Sequence, residues 1–277
     1  MKTIRTTALT FLALLGTPLF AQTGPTLPVF DTANFAAGQP NVYFPLESGG
    51  VRVYVGTLTE AGLAAEAEVD AEEAAAGDTA TDDATESDPE AEATIPDEQG
   101  IMTVIGAGLV ILGVQTTTVL DEAYKGGLII ERTFDYFATD TEGNLWYFGE
   151  DVTNYRYDTE DRLTGTDSHS SWRAGVNDAV PGISIPANPT VGLSLFQEQA
   201  PVQEAMDFFE VVAVDLTIRG PAGEFTGVFQ TLESNAADPD SREFKFWAEG
   251  QGMIRAEEDL SEAHDDPEMI VELQPAG

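Results

Sequence analysis

The chain of 277 residues contains no cysteine and only two histidines. The lack of cysteine excludes disulfides as a source of stability and thiolates as nucleophiles. The scarcity of histidine argues against zinc, because zinc sites in proteins usually draw on several His or Cys ligands. His169 and Asp167 are too close in sequence to converge on a serine as a catalytic triad does. We predict no cofactor, with calcium as the one ion the composition would suit.

Basic residues are also scarce: 12 Lys and Arg stand against 49 Asp and Glu, for a formal net charge of −37. This balance excludes the basic surface that nucleic acids and anionic membranes require. It favours cations, cationic partners or a salty environment, and we predict a small-molecule ligand or a cation as the partner. Strong self-repulsion also keeps proteins soluble and apart from one another, so we expect a monomer that binds no nucleic acid.

Long apolar runs are missing, and the longest near the start, from Ala8 to Leu15, is too short to span a bilayer. Lys2 and Arg5 precede this run, and Ala21 ends a short segment after it. A charged start, a short apolar centre and a small residue at the end are typical of a secretory signal. We therefore predict a signal peptide at residues 1–21, a periplasmic or secreted location, and no membrane span.

Composition divides the remaining chain into four parts. Residues 22–40 are rich in Pro, Gly, Thr and Ala, and we predict a flexible leader. A β-domain at 41–255 is predicted to be interrupted by a disordered acidic insertion at 60–98, which carries 15 acids and no Lys or Arg. Residues 256–277 carry eight further acids without a Lys or Arg, and we predict an acidic tail.

Short apolar, β-branched segments separated by turn residues recur through the β-domain. Val51 to Gly56 alternates in the manner of a strand, and Gly126-Gly127 separates two further strand patterns. Many short strands with frequent turns predict an all-β fold. We expect a single antiparallel curved sheet or a barrel-like domain.

Two longer strings in this region carry a resemblance. They begin at Gly143 (GNLWYFGED) and at Ser171 (SWRAGVNDAVPGISIPANPTVG). The chain resembles a family of uncharacterised secreted bacterial proteins that share the strings GNxWYFGED and SWxAGVxxAxPGIxxPAxPxVG, over roughly residues 41–59 and 101–256. The resemblance implies a secreted, β-rich domain and no particular activity. The acidic block at 60–98 departs from the family pattern.

The aromatic residues of the first string are the leading candidates for a ligand site. On a strand, Tyr147 points to one face and Trp146 and Phe148 point to the other. Trp146 and Tyr147 are predicted to line a ligand wall, with Trp172 contributing from the loop that follows. The alternative is that these aromatics only fill the core of a central strand.

Acidic residues surround the same string. Asp140, Glu142, Glu150 and Asp151 could supply the oxygen ligands that calcium prefers. The alternative for Asp140 and Glu142 is a local role in a hairpin turn, where Asp commonly bonds nearby backbone N–H groups.

Three functions follow from these patterns. The leading hypothesis is an exported, non-enzymatic binding or carrier domain, because a curved sheet encloses a concave apolar surface. The first alternative is a calcium-stabilised structural protein of the envelope. The second is a carboxylate-dependent hydrolase of envelope polymers, which needs two close carboxyl groups in a cleft, one with a raised pKa.

Overall fold

The computed structural model describes residues 24–65, 67, 96, 98–260 and 266–276. The predicted signal peptide and most of the predicted acidic insertion lie outside these residues. Residues 60–65, where that insertion begins, are helical, and the hydroxyl of Thr59 accepts a hydrogen bond from the backbone N–H of Gly62 at 3.2 Å. Within the described ranges, no helix is both long and apolar enough to cross a membrane.

The described residues form fifteen strands and one short 3₁₀ helix, Thr32–Phe35, which confirms the all-β prediction. The first seven strands are β1 (Val51–Leu58), β2 (Glu98–Ile111), β3 (Val114–Lys125), β4 (Leu128–Thr139), β5 (Leu145–Tyr157), β6 (Leu163–Asp167) and β7 (Trp172–Arg173). The others are β8 (Val180–Ile185), β9 (Ser194–Phe196), β10 (Glu198–Gln199), β11 (Asp207–Gly220), β12 (Gly223–Asn235), β13 (Arg242–Ala248), β14 (Gly252–Glu258) and β15 (Met269–Leu273).

The strands form one antiparallel sheet in the order β10-β8-β5-β4-β3-β2-β1-β15-β14-β13-β12-β11-β9. β1 to β5 form one meander and β11 to β15 form another, in which strands that follow one another in sequence are also neighbours in space. β1 and β15 pair with each other and so join the two meanders. β7 and β6 pair with β5 from Gly149 to its C-terminal end.

Tight turns fix the register of the hairpins. Leu112 and Gly113 join β2 to β3, and both have positive φ, at 49° and 83°. Gly126 and Gly127 join β3 to β4 with φ of 55° and 82°. Two-residue loops with positive φ at both positions match the natural twist of the paired strands. The Gly126-Gly127 turn was readable from the sequence.

The two edges of the sheet meet at one short segment, residues 194–199. Its first half, β9, pairs with β11, and its second half, β10, pairs with β8. The backbone N–H of Gln197, between the two halves, donates to the carbonyl of Asp207 at 2.8 Å. The sheet is therefore nearly closed and barrel-like, which is one of the two forms predicted from the sequence.

An apolar layer covers the outer face of β4 and β5. Trp146 and Phe148 are buried there. Phe30 and Phe35, from the predicted flexible leader, lie edge-on or tilted against these two rings at centroid distances of 5.5–6.2 Å. Residues 24–40 thus differ from the loose leader expected from their composition, because two aromatic side chains anchor the segment on the sheet.

The predicted acidic tail also contains a strand. β15 lies between β1 and β14, with Val271 opposite both Gly56 and Ala256. Met269 and Leu273, at its two ends, are buried. Residues 269–273 therefore belong to the sheet, where apolar side chains contribute to packing despite the acidic sequence around them.

Candidate functional site

A cavity of about 430 Å³ lies inside the sheet, and we call it the interior cavity. Its wall includes residues of β1 to β5 on one half of the sheet and of β11 to β14 on the other. β8 and β10 complete it at the closure segment. The volume falls within the range of about 300–1,000 Å³ that is usual for small-molecule sites. The side chains named in the following paragraphs line this cavity unless another place is given.

Aromatic and apolar side chains form part of the wall. The rings of Phe137 and Tyr147 are stacked, with centroids 4.8 Å apart and planes at 21°. Trp247 on β13 and Phe44 from the segment before β1 add two further rings, and Met102 and Ile185 add aliphatic surface. The cavity thus offers flat apolar faces as well as polar groups.

A β-bulge in β5 places Tyr147 and Glu150 on the same face. Regular alternation would put residues three apart on opposite faces. The register with β4 pairs Phe137 with Tyr147 but Asp135 with Glu150, so β5 has one residue more than β4 between these pairs. Gly149 lies in the bulge with φ of 133°. An added Cβ there would lie 2.5 Å from the carbonyl oxygen of Trp172, so only glycine fits beside β7.

The hydroxyl of Tyr147 lies between two carboxyl groups, 2.6 Å from Oδ1 of Asp135 and 2.8 Å from Oε2 of Glu150. A phenol has one proton to donate, and an ionised carboxylate can only accept. Both contacts are hydrogen bonds only if one of the two carboxyl groups carries a proton. The arrangement therefore holds a proton on an acid as well as one on the tyrosine.

Burial explains why an acid here keeps its proton. It raises the pKa of Asp135 well above its usual range, although the hydrogen bond from Tyr147 opposes the shift. Burial raises the pKa of Glu150 to about 7, again against the bond from Tyr147. Asp121 on β3 and Glu258 on β14 also have raised pKa values, about 6 and about 7, with burial as the main cause.

The closure segment contributes a second acid pair. Glu198, which is 3% exposed, bonds through its side chain to Asp207 at the start of β11. Burial raises the pKa of Glu198 well above its usual range, and the neighbouring charge of Asp207 raises it further. A hydrogen bond between two carboxyl groups requires a proton on one of them, and the shift places it on Glu198.

Lys245 on β13 is the one basic side chain among the described residues of the cavity wall. Its Nζ lies 3.0 Å from Oε2 of Glu233 and 2.8 Å from Oε1 of Glu243. Burial opposes the charge of Lys245, but the two carboxylates outweigh it and raise the pKa well above the usual range. Lys245 therefore stays charged and forms an ion pair with each of these two acids.

The three aromatic residues predicted to bind a ligand lie in different places. Tyr147 lines the interior cavity. Trp146 is on the outer face under Phe30 and Phe35, and its indole Nε1 donates to Asp140 at 2.8 Å. Trp172 lies edge-on to Tyr147 with centroids 5.3 Å apart, and its buried Nε1 has no hydrogen-bond partner among the described residues.

The four acids predicted to bind calcium do not come together. Asp140 accepts hydrogen bonds from the backbone N–H groups of Glu142 and Asn144, which is the turn role that was the alternative. Glu142 is exposed in that turn. Glu150 faces the cavity, and Asp151 lies outside it with Arg173 and Tyr136. In the described part of the chain, no three His, Asp or Glu side chains are grouped as a metal site.

Sequence reasoning missed most of the acids that line the cavity. They are Asp121, Asp135, Glu198, Asp207, Glu233, Glu243 and Glu258, in addition to the predicted Glu150. Strand alternation offers a signal, since Glu243, Lys245 and Trp247 are spaced by two along one face of β13. The bulge at Gly149 hid the same relation between Tyr147 and Glu150.

Comparisons with known proteins give no family. No family model matches the chain, and no curated protein matches it. A search of solved structures finds the crystal structure of a "putative lipoprotein" from Parabacteroides distasonis. It is 10% identical, with a TM-score of 0.39, and the match covers 86% of this chain and 99% of that one. The resemblance carried by the two sequence strings stays a prediction.

Proposed function

We propose that this protein is an exported, non-enzymatic binding or carrier domain whose ligand lies in the interior cavity. The observation that carries the proposal is the cavity itself, a space inside the sheet that is lined by stacked aromatic rings and by carboxyl groups. Export is supported by the secretory pattern of residues 1–21. Carriers of this kind need a preformed pocket and no reactive group.

The proposal is tested with a substitution that fills part of the cavity. Ser184 on β8 faces the interior cavity, and Ser184→Phe would occupy part of its volume. The exposed loop residue Thr190 supplies the matched control, Thr190→Phe. Binding is measured by calorimetry and by the melting temperature with three probes of the same shape: benzylamine, benzyl alcohol and benzoate. We expect saturable binding of at least one probe at a 1:1 ratio, abolished by Ser184→Phe and kept by Thr190→Phe.

Two results would contradict the proposal. One is that none of the three probes binds saturably to the unaltered protein. The other is that Ser184→Phe, folded by circular dichroism, binds as well as Thr190→Phe, which would place the probe outside the interior cavity. Because a ligand that binds only the folded state raises the melting temperature, the two measurements check each other.

The hydrolase alternative gains one observation, the hydrogen-bonded pair of Glu198 and Asp207 in the cavity. A carboxyl group with a raised pKa beside a second carboxyl group offers the parts of a general acid and base. The pair is in direct contact, whereas glycoside hydrolysis needs carboxyl groups about 5–9.5 Å apart. Release of reducing sugar from envelope polysaccharide, lost in Glu198→Gln, would favour this alternative over the carrier.

A further inference from the structure

We propose that the ligand of the interior cavity is a compact organic cation, an amine or amidine joined to a flat apolar group. This inference rests on the proposed binding function and names the class of ligand. The observation that supports it is that eight carboxyl groups line the cavity, against one basic side chain, Lys245, among the described residues of the wall.

Glu198 is a cavity acid that no basic side chain among the described residues accompanies. Its carboxyl group is nine-tenths buried and faces the cavity, and its side-chain hydrogen bond goes to another acid, Asp207. On the neighbouring strands β4 and β5, Asp135 and Glu150 both contact the hydroxyl of Tyr147, and no basic side chain among the described residues is bonded to either of them. Burying a carboxyl group without a cation is unfavourable, so the fold alone gives no reason for these pairs.

Apart from Lys245, no Lys or Arg among the described residues lines this cavity. Arg132 pairs with Glu122, Arg156 with Asp167, and Arg173 with Asp151, at 2.7, 2.6 and 2.5 Å. None of these three acids lines the interior cavity. Arginines of the chain thus neutralise these three outward acids, whereas the acids around Tyr147 and the Glu198 pair have no basic side chain bonded to them in the described part of the chain.

The remaining wall fits the apolar part of such a ligand. The faces of Trp and Tyr rings attract cations, and they also pack against flat apolar groups. The ring of Tyr147 is stacked on Phe137, and its hydroxyl contacts the carboxyl group of Glu150. Trp247 lies two residues after Lys245 on β13 and lines the same cavity. The wall therefore presents aromatic rings close to carboxyl groups, which suits a ligand that has both a positive charge and a flat apolar group.

The cation would replace the protons that the acids now share. When an ammonium group donates to Asp135 or Glu150, Tyr147 needs to donate to only one of them, and the extra proton leaves to solvent. The charged groups that face this cluster come from several strands: Asp121 on β3, Glu131 on β4, Asp151 on β5, Glu198 on β10 and Asp207 on β11. All are acids, so each favours a bound cation.

The experiment compares the three benzyl probes on the full chain by calorimetry, since they share one shape and differ in charge. We expect benzylamine to bind at least tenfold more tightly than benzyl alcohol, and benzoate to bind least. Glu150→Gln and Glu198→Gln keep the shape of the side chain and should each weaken benzylamine about tenfold or more. Glu142→Gln, which removes an exposed acid outside the cavity, should leave the affinity unchanged.

The outcomes separate this inference from the function on which it rests. Tighter binding of benzyl alcohol or benzoate, still abolished by Ser184→Phe, overturns the cationic ligand and keeps the carrier. Equal loss of benzylamine binding in Glu142→Gln overturns it too, because the attraction would then come from overall charge. Displacement of benzylamine by calcium chloride at equal ionic strength would assign the acids to an inorganic ion. Failure of all three probes contradicts the carrier function itself.

Discussion

At the scale of single residues, the protein treats its acids in two ways. Asp140 is buried but fully engaged, with hydrogen bonds from two backbone N–H groups, Asn144 and the indole of Trp146. Glu198 and Asp135 are equally buried, yet each shares a proton with a neighbouring acidic or phenolic group. The first kind of acid holds a turn in place, and the second kind makes the folded state sensitive to pH.

The ligand-free protein should melt at a lower temperature as pH rises from about 5 to 8. The pKa of Glu150 and that of Glu258 are about 7 in the fold, against 4.5 for the free side chain. Between these values the folded chain holds protons that the unfolded chain has released, so the free energy of unfolding falls with rising pH. Calorimetric melting temperatures across this range measure the slope.

Two variants isolate the contribution of Glu150. Glu150→Gln and Glu142→Gln each remove one carboxyl group, so both reduce the formal negative charge of the chain by the same amount. Only Glu150→Gln should make the slope shallower, and a domain of this size shifts by about 2–4 °C for each kcal/mol. A melting temperature that is constant or rises between pH 5 and 8 would contradict the protonated interior.

At the scale of elements, the bulge in β5 decides which side chains reach the cavity. Gly149→Ala should destabilise the fold by about 2–4 kcal/mol, because the residue has positive φ and its Cβ would meet backbone atoms of β7. Urea unfolding measures the change. Gly165→Ala in β6 is the matched control, since nothing lies within 4 Å of the added carbon. Equal stability of the two variants would show that the bulge tolerates a side chain.

The same bulge marks how far the sequence could predict the site. Regular alternation along residues 145–148 correctly separates Tyr147 from Trp146 and Phe148. It fails at Glu150, because one inserted residue reverses every face that follows. The strands around Gly126-Gly127 were equally predictable from their turn. β15 was not, since five residues with an acid among them give a weak pattern inside an acidic stretch. Phe30 and Phe35 are single aromatics in a polar leader, and only tertiary contacts give them a role.

At the scale of the whole molecule, the formal charge of −37 opposes the compact state. Raising sodium chloride from about 20 to 500 mM should therefore raise the melting temperature, because salt screens repulsion between surface acids over distances beyond about 10 Å. The effect should exceed the loss of surface ion pairs such as Arg156–Asp167, which contribute little each. Calorimetry at fixed pH checks this, and a falling melting temperature would show that the ion pairs dominate.

The position of β15 decides when β1 can complete its pairing as the chain is synthesised. Each meander contains only neighbours in sequence and can begin to pair as soon as its own strands exist. The junction between them cannot, because β1 waits for residues 269–273, more than 200 positions further along the chain. A chain made from its amino end must therefore keep one edge of β1 open until almost all of it has emerged. During that interval the unpaired edge of β1 could pair with another chain, so the growing protein has to be kept apart from its neighbours.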